Sequence, residues 1–189
     1  MSSTHLIRWS GLASMIGGML WLLLSTGLAI KWPIGEYLGP VLAAVGCSFL
    51  VALIGLYARA NRRVGLIGKI GLVMAAIGVI PVMTVGILKT IHTGDSGWLG
   101  FMLIANLLFA GLVIFGVDAL RMQVRSPWAV WPAVIGLTGL TIWGIESQTS
   151  APWQLVGLLY LFGLGWILLG YGLWSDREEQ ASYIRLTTE

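Results

Sequence analysis

Charged side chains are scarce in this chain of 189 residues. Asp, Glu, Lys and Arg make up 10% of it, hydrophobic residues make up 57%, and the mean hydropathy is +0.87. A soluble domain carries roughly 25% charged residues, because its surface must be covered by groups that water solvates. The shortage argues against an ordinary water-soluble domain and indicates a protein surrounded by lipid.

Cysteine and histidine are nearly absent as well. The chain has one cysteine, Cys47, and two histidines, His5 and His92. One cysteine cannot form an intramolecular disulfide, and a zinc site needs three or four His, Cys or carboxylate ligands. A bis-histidine haem would need both histidines inside the bundle, and no Gly-x-Ser-x-Gly nucleophile motif occurs. We therefore expect no metal, no intrinsic cofactor and no enzymatic activity.

Long segments without any charged residue make up most of the chain. A helix needs about 20 predominantly apolar residues to cross the hydrocarbon core of a bilayer. Residues 1–175 are thus predicted to form a single membrane domain, and 176–189 a short cytoplasmic tail. The prediction is an all-α, polytopic integral membrane protein with six transmembrane helices, in the segments 9–30, 37–58, 70–88, 96–117, 126–145 and 147–175.

No Asp, Glu, Lys, Arg or His lies inside these six segments. Charges within a membrane mark proton relays, ion paths and voltage sensors, because they are costly to place there. Their absence from the sequence of the spans argues against a proton-coupled carrier or a voltage-gated channel. Asp118 comes nearest, just after the fourth segment, and Arg121 one turn later predicts that the two form an ion pair.

The basic residues fall mostly on one side of this topology. Nine of the eleven Lys and Arg residues do so, and only Lys31 and Lys89 fall on the other side. Cytoplasmic loops are enriched in Lys and Arg, so the asymmetry predicts cytoplasmic N and C termini in a cell (inner or plasma) membrane. The net charge of +3 then reflects topology, and we expect no nucleic acid as a partner.

The six helices resemble one another in pairs. Each odd-numbered helix carries an Ile-Gly pair, at Ile16-Gly17, Ile77-Gly78 and Ile135-Gly136. Each even-numbered helix opens with an aromatic residue and closes on an arginine. Such internal similarity is common in membrane proteins and predicts three repeated helical hairpins.

Glycines recur at intervals of seven residues along the predicted helices. The pairs include Gly11/Gly18, Gly71/Gly78 and Gly163/Gly170. Small residues let helices approach closely in a membrane, where packing holds them together. These seams are expected either to close the bundle on itself or to receive a neighbouring subunit.

Two groups of polar residues are candidates for binding. Pro81 interrupts the third helix near its middle, Thr84 follows it, and Asn106 is an amide well inside the fourth helix. Broken helices and buried amides mark binding sites in transporters, although kinks and interhelical hydrogen bonds are also ordinary packing devices. The second group is a polar cluster expected at the outer face, where loop ends are polar in any case: Glu36, His92, Asp95 and Glu146.

These observations favour a non-catalytic subunit or scaffold of a larger membrane assembly. Such a chain would contact membrane lipids and other membrane-protein subunits, or associate with itself. Its apolar grooves could hold a lipid, a quinone or a pigment. The alternative is a facilitator of a small neutral or lipophilic solute, with Pro81, Thr84 and Asn106 along its path.

Overall fold

The computed structural model of this chain describes residues 3–33, 35–60, 64–91, 98–122, 129–146 and 153–188. Within these ranges the chain is helical and contains no strand, which confirms the all-α prediction for the described part. The helices are α1 (Ser3–Ala29), α2 (Gly35–Ala60), α3 (Leu66–Ile91), α4 (Trp98–Arg121), α5 (Trp131–Glu146) and α6 (Trp153–Thr188).

Helix α5 is shorter than its predicted span, whereas the other five helices are longer than theirs. Five helices are long and apolar enough to cross a membrane, but α5 has only 16 residues and begins later than the predicted segment 126–145. At 1.5 Å per residue α5 is about 24 Å long, shorter than the hydrocarbon core of about 30 Å. By contrast, α6 has 36 residues and carries the segment predicted as a tail, 176–189, as helix as far as Thr188.

The helices form a closed ring in which each packs against its neighbours in sequence, and α6 returns to pack against α1. Neighbouring helices are antiparallel, as the close glycine contacts show. Gly11 lies against Gly170 and Gly18 against Gly163, so α1 and α6 run in opposite directions. The same alternation continues around the ring, and Arg8 and Trp174 consequently lie at the same end of the bundle.

The predicted hairpins α1/α2, α3/α4 and α5/α6 are each antiparallel neighbours. The contacts between hairpins are of comparable extent, because α2 packs on α3 and α6 packs on α1. The bundle is therefore not three separate hairpin units, and their relation as repeats stays a prediction.

An aromatic cluster fills the space between α2 and α6. Phe49 stacks on Trp166 with ring centroids 4.0 Å apart, and Phe162 meets Phe49, Trp21 and Phe109 edge to face. Trp166 is fully buried, and its indole N–H has no hydrogen-bond acceptor within the described part of the chain. Packing and ring contacts alone hold this side chain, and each aromatic pair contributes about 0.5–1.5 kcal/mol.

The outward surface of the bundle is apolar along the middle of its helices. Ile16, Leu23, Ile54, Val73 and Leu161 are among the large hydrophobic side chains that are 46–68% exposed. A monomeric soluble protein rarely exposes contiguous apolar surface of this extent. The surface is therefore the kind that a lipid bilayer covers.

Lys31 ends α1 in a conformation that glycine normally adopts. Its φ is 53°, its N–H donates to the carbonyl of Leu28 (3.3 Å), and the N–H of Trp32 donates to the carbonyl of Gly27 (2.9 Å). This is the Schellman arrangement, in which a left-handed residue lets the last carbonyls find donors.

Replacing Lys31 with glycine is expected to stabilise the protein by about 0.5–1 kcal/mol, because glycine has no Cβ to oppose a positive φ. Lys31→Ala is the matched control, since it removes the same side chain but keeps the Cβ. The measurement is the midpoint of unfolding in detergent. Equal stabilisation by both variants would show that the lysine side chain matters and the backbone conformation does not.

Candidate functional site

The outer polar cluster cannot be assembled from the described side chains. His92 and Asp95 lie outside the described residues, and the side chains of Glu36 and Glu146 do as well. The predicted grouping of these four residues stays a prediction.

Pro81 lies in the middle of α3 and is half-buried. Proline leaves the carbonyl four residues earlier, that of Ile77, without its helical donor. The hydroxyl of Thr84 does not fill that gap, because it donates to the carbonyl of Ile80 at 2.9 Å. Thr84 is exposed on the outward face of α3.

Asn106 is half-buried on α4 and takes part in an interaction within the fold. It shares a helix face with Phe109 and Val113, which are three and seven residues further on. Those two residues pack against α5 at Gly136 and Gly139. Thr84 therefore lies on the outward face of α3, whereas Asn106 lies on the side of α4 that packs against α5. A solute path that includes both residues would have to connect these two surfaces.

Asp118 holds the beginning of α3 from the end of α4. The N–H of Gly65 and the N–H of Gly68 both donate to its Oδ2, at 2.9 and 3.2 Å, and the residue is only 6% exposed. The first N–H groups of a helix have no partner within the helix, so a carboxylate there acts as a cap. Asp118 thereby links two helices at one end of the bundle.

The predicted ion pair between Asp118 and Arg121 is wrong. Arg121 is exposed, and within the described part of the chain the carboxylate accepts from the two backbone N–H groups of the α3 terminus instead. The physical reason is that the buried helix terminus offers two directed donors without the loss of side-chain entropy that a long arginine would suffer. The signal in the sequence is Gly65-Leu66-Ile67-Gly68, two glycines just where a helix starts.

Gly68 shows why these positions are glycine. A Cβ at Gly68 would lie 2.7 Å from Asp118 Oδ2 and would also overlap Val64. A Cβ at Gly65 would meet the same oxygen at 3.2 Å. The carboxylate can therefore approach the backbone at Gly68 only because that residue has no side chain, and a Cβ at Gly65 would crowd the same oxygen.

Four described basic residues lie at the end of the bundle that holds this cap. Because the helices alternate in direction, the start of α1, the end of α2, the start of α3 and the end of α4 meet there. These termini carry Arg8, Arg59, Lys69 and Arg121. Lys31, between α1 and α2, lies at the opposite end.

A groove opens at the basic end between α1 and α6. Its volume is about 200 Å³, and the guanidinium carbon of Arg8 lies 4.5 Å from the centre of the Trp174 ring. A cation over an indole face gains about 0.5–2 kcal/mol, depending on its exposure. The residues that line the groove are His5, Arg8, Trp9, Leu12 and Trp174.

Polar contacts fix the two helices that form the walls of this groove. The Gly11–Gly170 and Gly18–Gly163 contacts bring the backbones together. Three hydrogen bonds then join the helices at successive levels: Ser14 Oγ to Trp166 O (2.7 Å), Trp21 Nε1 to Leu159 O (3.2 Å) and Thr26 Oγ1 with Tyr160 Oη (2.7 Å). The groove is thus set on a rigid pair of helices.

Comparison with known proteins adds no functional assignment. The chain matches no protein-family model, no curated protein and no solved structure. Among the residues that the structure describes, no three His, Cys, Asp or Glu side chains come close enough to hold a metal ion. The basic groove and the outward helix faces are the features of the described surface with the most distinctive chemistry.

Proposed function

We propose that this chain is a multi-pass integral protein of a cell membrane with six transmembrane helices. Five helices of sufficient length and the apolar outward surface support this placement. The short α5 fits the same placement, because a bilayer adapts to a short span at a cost of fractions of a kcal/mol per Å. Within the spans, the side chains of Ser14, Trp21 and Thr26 bond to backbone carbonyls or to another side chain, as lipid requires.

The proposed orientation has both termini in the cytoplasm of an inner or plasma membrane. Its support is the position of Arg8, Arg59, Lys69 and Arg121 at one end of the bundle. Lys and Arg are enriched on the cytoplasmic side of membrane proteins. In this orientation the basic groove faces the inner leaflet.

The proposed role is that of a non-catalytic subunit or scaffold in a larger membrane assembly. The observation that supports it best is the outward face of α3. Six β-branched residues follow one another there at alternating steps of three and four, and the five apolar ones are 44–56% exposed. They are Ile70, Val73, Ile77, Ile80, Thr84 and Ile87.

A ridge of this kind suits a helix of another chain. Steps of three and four residues match the left-handed packing, with crossing angles near 20°, that most membrane helix pairs adopt. β-branched side chains are already restricted at χ1, so they lose little entropy when a partner covers them. The outward face of α1, in contrast, carries the flexible side chains of Met19 and Leu23.

The glycine seams do not provide this contact, because the fold uses them itself. Gly11 and Gly18 lie against α6, and Gly71 and Gly78 lie against α4. A neighbouring subunit must therefore pack on another surface, and the α3 ridge is available in the isolated chain.

Photo-crosslinking tests this role in native membranes. Ile77 is replaced by p-benzoylphenylalanine, which captures whatever chain covers the ridge, whether a second copy or a different protein. We expect one discrete crosslinked product, identified by mass spectrometry. Leu137 on α5, 56% exposed, is the matched control site and should give lipid adducts only. A product from neither site, or equal products from both, would contradict a subunit role through α3.

A further inference from the structure

The groove at the basic end continues into an apolar track along α1. Residues on this helix at steps of three and four share one stripe of its surface. Towards the end of the helix that stripe is polar and aromatic, with His5 and Trp9, and Arg8 stands beside it. Further along it is apolar, with Leu12, Ile16, Met19 and Leu23.

The length of this track matches one leaflet of a bilayer. From Leu12 to Leu23 the helix rises about 16 Å at 1.5 Å per residue. Half of a hydrocarbon core of about 30 Å is about 15 Å. Ile16, Met19 and Leu23 are 46%, 54% and 68% exposed, so the track is open along its length. Along the groove and the track, a charged end is followed by aromatic side chains and then by apolar ones. A phospholipid has the same order of polarity from its headgroup to its acyl chains.

The charged end of the groove suits a phosphate group. The guanidinium of Arg8, whose carbon lies 4.5 Å from the centre of the Trp174 ring, carries five N–H donors in one plane. Arginine binds phosphate through two parallel N–H···O bonds, which lysine cannot reproduce. Trp9, which is 61% exposed, and Trp174 are side chains suited to the boundary between headgroups and hydrocarbon.

We propose that this groove binds one anionic phospholipid, with its phosphate on Arg8 and one acyl chain along Leu12, Ile16 and Met19. An anionic headgroup fits better than a zwitterionic one, because Arg8, Arg59, Lys69 and Arg121 lie at this end of the bundle and attract negative charge. A lipid fits better than a free phosphate, because the groove leads into the exposed apolar track. The inference rests on the proposed membrane location and does not depend on the subunit role.

Native mass spectrometry of the full chain in detergent tests the site. Phosphatidylglycerol and phosphatidylcholine are added at equal concentration, and bound lipids are counted. We expect one phosphatidylglycerol held in preference to phosphatidylcholine. Arg8→Gln should weaken the affinity for phosphatidylglycerol by roughly tenfold or more, the usual effect of losing a hydrogen bond to a charged group. Arg8→Lys keeps the positive charge but not the paired N–H donors of the guanidinium. Its affinity for phosphatidylglycerol should lie between those of the unchanged protein and Arg8→Gln.

Arg121→Gln is the matched control, because it removes an exposed arginine at the same end of the bundle but outside the groove. It should leave phosphatidylglycerol binding unchanged. Trp174→Leu should weaken phosphatidylglycerol binding, because it removes the indole ring that contacts Arg8. Circular dichroism is used to check that each variant is folded. The proposed site would be contradicted if Arg8→Gln and Arg121→Gln lowered the affinity for phosphatidylglycerol equally. It would also be contradicted if neither Arg8→Gln nor Trp174→Leu lowered that affinity. Displacement of the lipid by millimolar inorganic phosphate would also overturn it, by identifying a site for a free anion.

Discussion

Replacing Asp118 with alanine is expected to lower the free energy of unfolding by about 3 kcal/mol. The substitution leaves the N–H groups of Gly65 and Gly68 at a buried helix terminus without their acceptor. An unsatisfied buried donor costs about 1–3 kcal/mol, and loss of a helix cap alone costs up to about 2 kcal/mol. The effect should appear as a lower midpoint of unfolding in mixed micelles with increasing SDS, followed by circular dichroism.

Two further variants distinguish the helix cap from an ion pair with Arg121. Asp118→Asn keeps an acceptor oxygen but loses the negative charge at the positive end of the α3 dipole, so its loss should be smaller, about 1 kcal/mol. Arg121→Ala removes the residue that the sequence predicts as the partner of Asp118 and should have almost no effect, since Arg121 is exposed. If Arg121→Ala were as destabilising as Asp118→Ala, the ion pair would be the stabilising contact and the cap would not.

The second large effect is expected from Gly78→Ala. A Cβ at Gly78 would overlap the backbone nitrogen of Leu108 on α4, and would lie 2.7 Å from its Cα and 2.8 Å from its Cβ. Backbone atoms of a packed helix cannot move aside as the end of a side chain can. The two helices must therefore separate, which we expect to cost about 3 kcal/mol, at the upper end of overpacking effects.

Gly157→Ala is the matched control for this substitution. Gly157 lies within α6 and is exposed, and in the described part of the chain a Cβ there would meet no heavy atom within 4 Å beyond the local backbone of its own helix. Alanine is a better helix former than glycine by about 1 kcal/mol, so this variant should be neutral or up to that much more stable. The same SDS titration measures both variants. A similar loss from each would mean that glycine is required in these helices for flexibility and not for close approach.

The helices themselves were largely predictable from the sequence. The apolar composition of each helix and the charges at its ends are local properties of the sequence. They were enough to predict the six segments in which the structure has helices. The helix boundaries, among them those of α5 and α6, were less predictable, because helix ends depend on neighbouring elements. Pro132 allows a helix start within its first turn, and the prediction began this helix earlier at 126.

The candidate site was predictable only in part. Arg8 and Trp174 were each recognisable as residues near a membrane boundary, but they are 166 positions apart and nothing local brings them together. Asn106 and Pro81 stood out because amides and prolines are rare in spans, yet rarity does not tell which face of a helix a residue occupies. Thr84 lies outward, and this follows from how α3 packs between α2 and α4.

The sequence by itself determined which segments are helices, which ends are basic, and where backbones could approach closely. These depend on hydrophobicity, charge and side-chain size at each position, and each can be read one residue at a time. The tertiary structure alone decided the partners. In the tertiary structure Gly11 and Gly18 of α1 pack against α6, and Asp118 accepts hydrogen bonds from the terminus of α3. The ring of helices also closes so that Arg8 contacts Trp174. The physical reason is that a seam of small residues or a lone carboxylate can be satisfied by several partners of similar chemistry, and the packing of all six helices together selects one of them.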